Sequence, residues 1–289
     1  MKLAHQVALI TGANQGLGAQ IARRFRAAGA HVAIGARGET ALEDTARGLR
    51  ELSAPGEVLA QRLDVTQESD VTAWVAAAHA RWGRVDILVN CAGTAGPRGP
   101  LDDLDWTAWK EPMEINILGT AYPSRVVTPI MKAAGRGKII NLSGGGATKP
   151  LPHLSAYAAS KAAVVRLTET LALELKPWHI DVNAVAPGVL YTKLVDDFVE
   201  AGEAQLGRAY FEEVQRQKAN PQPAFDLATG LCLFLASAES DGITGRLLSA
   251  NWDPWADLPA RRDELAKSDV YTLRRIVPGD RGLDWDKRS

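Results

Sequence analysis

The sequence predicts a doubly wound α/β fold, a seven-stranded parallel sheet with helices on both faces. Three observations carry that reading. Short β-branched runs alternate with longer Ala/Leu/Arg-rich stretches along the chain. Several of the runs are apolar almost throughout, such as VALI at Val7–Ile10 and DILV at Asp86–Val89. No internal repeat, low-complexity segment or Pro/Gly-rich linker divides them. A strand buried on both faces reads as a continuous apolar run, and repeated strand–helix alternation implies right-handed βαβ crossovers.

The predicted strands are Gln6–Thr11, His31–Gly35, Val58–Leu63, Val85–Asn90, Lys138–Leu142, Ile180–Ala184 and Arg246–Ser249. Helical patterns fill the intervals, among them Leu17–Ala28, Ala41–Glu51 and the long stretches Trp106–Ala134 and Ala156–Lys176. Two regions break the rhythm. Leu190–Pro223 is too long for an ordinary connection and carries Tyr191, Phe198, Tyr210 and Phe211, so it reads as a substrate lid. Asn251–Ser289 carries Trp252, Trp255 and Trp285; that much apolar area predicts a tail packed on the domain or on a neighbouring subunit. The chain is therefore read as one catalytic domain, residues 1–250, with an extension, 251–289.

Composition narrows the function. Lys+Arg 33 against Asp+Glu 34 leaves a net charge of −1, with no electrostatic footprint for nucleic acid or an acidic membrane. Two cysteines and five scattered histidines make neither a disulfide scaffold nor a Cys/His zinc module. The start, MKLAHQVALI, is too short in apolar residues for a signal peptide, and no run approaches membrane-spanning length. The expectation is a cytoplasmic protein acting on a small molecule, with no metal.

TGANQGLG at Thr11–Gly18 follows a strand and opens a helix. Glycines there let the backbone turn tightly and approach a pyrophosphate, which sits on helix N–H groups and the positive end of the dipole. Candidate contacts are Gly12, Asn14, Gln15, Gly16, Leu17 and Gly18, although the spacing is not G-x-G-x-x-G and a tight strand-to-helix turn would read the same way. Asp64 ends the third strand, followed by Val65, and NCAG (Asn90–Gly93) ends the fourth. Both lie where open α/β sheets bind ligands. Asp64 also reads as a helix cap, and Asn90 as a partner for buried backbone. Tyr157 and Lys161, in SAYAASKAA, share one helix face. A phenol titrating near ~10 is a poor base at neutral pH, and an adjacent ammonium favours the phenolate.

The set TGANQGLG, NCAG, Asn116 in INILG, YAASK and Pro187-Gly188 in APG resembles the short-chain dehydrogenase/reductase family over roughly Gln6–Ala250. The resemblance implies a Rossmann-like sheet and hydride transfer between NAD(P) and a carbonyl or alcohol carbon. It implies Tyr157 as general acid/base, and Lys161 lowering its pKa and holding the nicotinamide ribose. Asn116 would fix a water in the proton relay. Gly12, Gly16 and Gly18 would line the pyrophosphate turn, Asp64 and Val65 the adenine, and Asn90, Ala92 and Gly93 the adenine ribose and nicotinamide side. Pro187, Gly188 and Thr192 would close over the carboxamide. It also suggests a homodimer or homotetramer built on the two long helices.

At the end of the second strand, NAD-preferring members carry an acid; here the position is Ala36, followed by Arg37. A guanidinium suits a 2′-phosphate, so NADP(H) is the expected cofactor, with NAD(H) the alternative. The family's catalytic serine lies thirteen residues before the tyrosine, and that residue is Gly144. Ser143 is one place early, aimed to the opposite face unless Gly144–Gly146 reroute the loop. Thr148, His153 and Ser155 are the other candidate donors, and losing one oxyanion donor costs about 10²–10³ in rate. The leading expectation is an NADP(H)-dependent oxidoreductase interconverting a ketone or aldehyde and an alcohol. The alternatives are a non-catalytic NAD(P)-binding sensor or structural subunit that lost the serine, or chemistry on a bulky substrate for which Gly144 makes room.

Overall fold

The computed structural model describes residues 1–188, 190 and 208–285. Seven strands form one parallel sheet: β1 (Val7–Thr11), β2 (His31–Ala36), β3 (Val58–Arg62), β4 (Ile87–Asn90), β5 (Gly137–Leu142), β6 (Ile180–Ala186) and β7 (Leu247–Ser249), in the order β3-β2-β1-β4-β5-β6-β7. Every strand lies within two residues of its predicted bounds. The helices are α1 (Gly16–Ala27), α2 (Glu39–Arg50), α3 (Glu68–Trp82), α4 (Trp106–Pro112), α5 (Gly119–Ala134), α6 (Ser155–Leu175), α7 (Arg208–Ala219), α8 (Gln222–Ala236) and α9 (Arg262–Ala266).

Strand side chains alternate between two core layers. Ala8 and Ile10 of β1, with Ile87 and Val89 of β4, join the layer under α1 and α8 that includes Ile21, Phe25 and Leu231. Val7, Leu9 and Leu88 face the other way, onto Trp74, Val127, Met131 and Leu175 of α3, α5 and α6. That period of two, buried on both sides, explains why these strands read as unbroken apolar runs. Burying one such side chain contributes about 1.5–3 kcal/mol.

The predicted helix Trp106–Ala134 is a correction. It is broken by a π-helical segment at Met113–Leu118 between α4 and α5. Pro112, Pro123 and Pro129 each remove a helical N–H, and the hydroxyls of Thr120, Ser124 and Thr128 donate back to carbonyls four residues earlier, at 2.8, 2.7 and 2.6 Å. Asn116 lies inside the π segment.

The extension packs on its own domain. Trp255 lies 5.7 Å from Phe234 between ring centroids and donates to the Ala250 carbonyl. The buried Arg246 guanidinium donates to the carbonyls of Leu265, Ser268 and Val270, the last two at 3.0 and 2.6 Å. The Tyr271 carbonyl accepts from Leu247 N at 2.8 Å, covering part of the outer edge of β7. Trp252 and Trp285 stay exposed, so of the three tryptophans only Trp255 anchors the tail. Within the expected lid, 191–207 lie outside the described residues, and Arg208–Ala219 is helix.

Candidate active site

The switch point of the sheet lies between β1 and β2 on one side and β4 on the other, at their C-terminal ends. Thr11, the last residue of β1, accepts from the amides of Cys91 and Ala92 at 3.0 and 3.1 Å, tying NCAG to the glycine turn. Gly12 has φ +66°, and a Cβ on it would stand 2.7 Å from Ala92 Cα; a Cβ on Gly18 would stand 2.4 Å from the Gly12 carbonyl oxygen. Both contacts are with backbone, so neither can yield cheaply. Gln15 caps α1 without a side-chain bond, and the first turn holds no acidic residue. Its N–H groups and positive dipole end remain for an anion. This cradle, which any side chain would fill, fits a dinucleotide pyrophosphate.

Toward the expected adenine end, Asp64 accepts from the Thr66 amide and hydroxyl at 3.0 and 2.8 Å. Burial raises its carboxyl, but the Thr66 groups, with Arg37 and Arg62 near, outweigh that and hold it below the ordinary range. Val65 is buried, and a Cβ on Gly119 would meet it at 2.6 Å. Ala36 is paired in register with Arg62 and followed by the exposed Arg37, so two guanidiniums flank the end of β2. The Asn14 carbonyl accepts from Thr45, Gln15 is exposed and Leu17 is buried. Asn90 turns into the sheet: its Nδ2 donates to Asn141 and Ser124, while its Oδ1 is buried without a partner among the described residues.

At the chemical end, one turn of α6 separates Tyr157, half-buried, from Lys161, 6% exposed. Lys161 Nζ donates to the Leu142 carbonyl at 2.8 Å and lies 5.8 Å from the Tyr157 ring centroid. Burial drives its ammonium down to about 8, against a small upward pull from Cys91, whose own thiol burial pushes up to about 12. Asn116 braces the site: Oδ1 accepts from Thr94 N at 2.9 Å, and Nδ2 donates to Thr94 O and Ser160 Oγ at 3.0 and 2.8 Å. A Cβ on Gly93 would stand 3.1 Å from Asn116 Oδ1 and 3.5 Å from Lys161 Nζ, so the end of NCAG lies against both side chains. The π segment is what delivers Asn116 there, and such bulges recur at functional sites.

Ser143 does not reach the phenol. Its hydroxyl is buried and donates to the Lys161 carbonyl at 3.3 Å, so Ser143 faces away as its place one residue early implies, the triple glycine does not reroute it, and Ser143 as a candidate catalytic donor is corrected. In extended chain, neighbouring residues face opposite ways, and it is Gly144 that faces Tyr157 Oη. Of the other candidate donors, Thr148 and His153 are exposed, and Ser155 Oγ accepts from Trp109 Nε1 at 3.0 Å. Pro187 and Gly188 directly follow β6 at the same sheet edge; Thr192 lies outside the described residues. Among the described residues, no group of three or more His, Cys, Asp or Glu could hold a metal, and no helix is long and apolar enough to cross a membrane.

Sequence reasoning missed three residues. Thr11 and Ser160 are small hydroxyl residues whose roles appear only through partners far along the chain. Asn251, the first residue of the extension, packs on Gly188: a Cβ there would lie 2.3 Å from Asn251 Nδ2.

The family profile described as short chain dehydrogenase matches residues 6–202, more than half of the chain. The protein belongs to the short-chain dehydrogenase family. Within it, the chain is 37% identical to a trans-4-hydroxycyclohexanecarboxylate dehydrogenase from Sinomonas cyclohexanicum, across 91% of this chain and 97% of that one. An NAD⁺-bound xylitol dehydrogenase superposes with a TM-score of 0.77 at 29% identity, covering 86% of this chain and 98% of that structure. A gluconate 5-dehydrogenase from Burkholderia cenocepacia, in complex with NADP and tartrate, gives 0.75 at 32% identity, covering 90% and 97%. Its structural neighbours thus include one dehydrogenase bound to NAD⁺ and one bound to NADP.

Proposed function

We propose that this short-chain dehydrogenase is an NADP(H)-dependent oxidoreductase interconverting a secondary alcohol and its ketone, with Tyr157 as general acid/base. The observation that carries the reading is the buried Lys161 ammonium one helical turn from Tyr157, beside the glycine cradle. Pure nucleotide binding could use the Lys161 amine on the ribose but has no need of a proton relay through Tyr157. Relatives named for hydroxycyclohexanecarboxylate, xylitol and gluconate support a secondary alcohol on a ring or polyol as substrate.

When bound, the dinucleotide supplies or accepts the hydride at the substrate carbon. The protein handles the proton. In reduction the Tyr157 phenol donates its proton to the carbonyl oxygen; in oxidation the phenolate takes the proton from the alcohol, and the Lys161 ammonium stabilises the phenolate form. Gly12, Gly16 and Gly18 with the start of α1 would hold the pyrophosphate, Asp64 and Val65 would border the adenine, and the backbone at Asn90 with Ala92 and Gly93 would border the adenine ribose and nicotinamide side. Asn116 holds the Thr94 backbone against α6 and keeps the relay geometry. Arg37 would take the 2′-phosphate, with no carboxylate at Ala36 to repel it, while Arg62 is already paired with Glu39 and Asp70. Pro187 and Gly188 would border the carboxamide. A homodimer or homotetramer would use the long helices α5 and α6, where Leu173 is 77% exposed; light scattering showing monomers alone would remove that part.

The test is NADPH oxidation with a panel of cyclic ketones and ketoses beside Tyr157→Phe. Turnover that disappears in the variant, with NADPH binding intact, is the expected result. Equal activity in both proteins would take Tyr157 out of the mechanism.

A further inference from the structure

The residue standing at the family's serine position is fitted to the phenol. Gly144 is extended, with φ −177° and ψ 173°, a conformation any residue adopts. Its backbone therefore makes no demand for glycine. The demand comes from Tyr157: a Cβ at Gly144 would lie 2.4 Å from the phenol oxygen and 3.3 Å from Cζ. The neighbouring Gly145 is unlike it, with nothing within 4 Å of an added Cβ.

We propose that Gly144 is a positioning residue for proton transfer, because the side chain it lacks is the volume that the Tyr157 hydroxyl occupies. The proposal rests on the reading of Tyr157 as the acid/base. The same strand end then sets both partners: the Leu142 carbonyl holds Lys161 Nζ at 2.8 Å, and two residues on, the bare backbone of Gly144 receives Oη. Adjacent Ser143 cannot take the phenol's place, since its hydroxyl is committed to the Lys161 carbonyl. The glycine opens no extra room for a bulky substrate, because the phenol already fills it. Restoring a serine at this position is thus a loss. An ordinary contact distance requires Oη to retreat by about 1 Å, and a misplacement of that size costs about a hundredfold in rate.

The experiment compares Gly144→Ala and Gly144→Ser in the parent protein and in the Tyr157→Phe background, with Gly145→Ala as control. Each is measured for kcat and its pH profile, NADPH Kd by fluorescence, and melting temperature. Both Gly144 variants are expected to lose about a hundredfold in kcat and to shift the pH midpoint, with Kd unchanged, whereas Gly145→Ala matches the parent. The added Cβ should lower the melting temperature with Tyr157 present and have less effect in the Tyr157→Phe background, where no oxygen meets it. Gly144→Ser at or above parental kcat, or Gly144→Ala equal to the parent, overturns the proposal. If no substrate turns over, the acid/base reading fails separately, and the melting comparison still decides: an equal cost in both backgrounds overturns the contact. Variants that fold only in the Tyr157→Phe background support it, and variants that fold in neither overturn it.

Discussion

A buried ammonium is costly, and at Lys161 the cost is measurable as a pH dependence of stability. Burial lowers its pKa from an ordinary 10.5 to about 8. Between those values the unfolded chain holds a proton that the folded protein has released, so stability contributed by this group rises with pH across that window; below about 8 the penalty is fully present. About 2.5 units at 1.36 kcal/mol each gives about 3 kcal/mol. Lys161→Met removes the penalty but leaves the Leu142 carbonyl unpaired, which costs about 1–3 kcal/mol. Urea unfolding of both cofactor-free proteins from pH 7 to 10.5 should therefore show the Met variant's relative stability falling by about 3 kcal/mol. Cys91 and Cys232, both pushed up by burial, act in the opposite sense above pH 9; Cys232 is common to both proteins and cancels in the difference, whereas Cys91 loses the downward pull of Lys161 in the Met variant, which adds to the same fall. A difference that stays flat with pH would refute the reasoning.

Gly18→Ala places a Cβ 2.4 Å from the Gly12 carbonyl, a backbone-to-backbone overlap, so a loss of about 1–3 kcal/mol in stability should accompany weakened NADPH binding in melting and titration. Arg37→Ala should raise the NADPH Kd by about ten- to a hundredfold, the worth of a hydrogen bond to a charged group, and leave NADH binding unchanged; an equal effect on both cofactors would remove Arg37 from 2′-phosphate recognition. Arg246→Met deletes donors to the carbonyls of Leu265, Ser268 and Val270. Limited proteolysis should then cut within 251–285 faster than in the parent, and an unchanged digestion pattern would show that Trp255 and Leu258 hold the extension unaided.

Most of the fold was legible because its signals are local. A strand covered on both faces must be apolar along its length, so VALI and DILV could be read directly. The π segment was not legible, since Met113–Leu118 keeps a helical composition and only the path of the backbone reveals the extra residue per turn. Tyr157 and Lys161 were visible because one helix carries both at fixed spacing. The fate of Ser143 was posed by the sequence as a matter of direction, and the structure answered it through Val185 and Lys161, both far along the chain.

The sequence by itself determined the succession of strands and helices along the chain, the glycine turn, the pairing of Tyr157 with Lys161 on one helix and the family, because each follows from neighbours within one element or from spacing. Only the tertiary structure decided that Gly144 meets the Tyr157 hydroxyl, that Asn251 backs Gly188, and that the Arg246 guanidinium binds the extension. Those contacts join residues from different elements, and they exist only once parallel crossovers and helix packing have brought the strand ends to one edge.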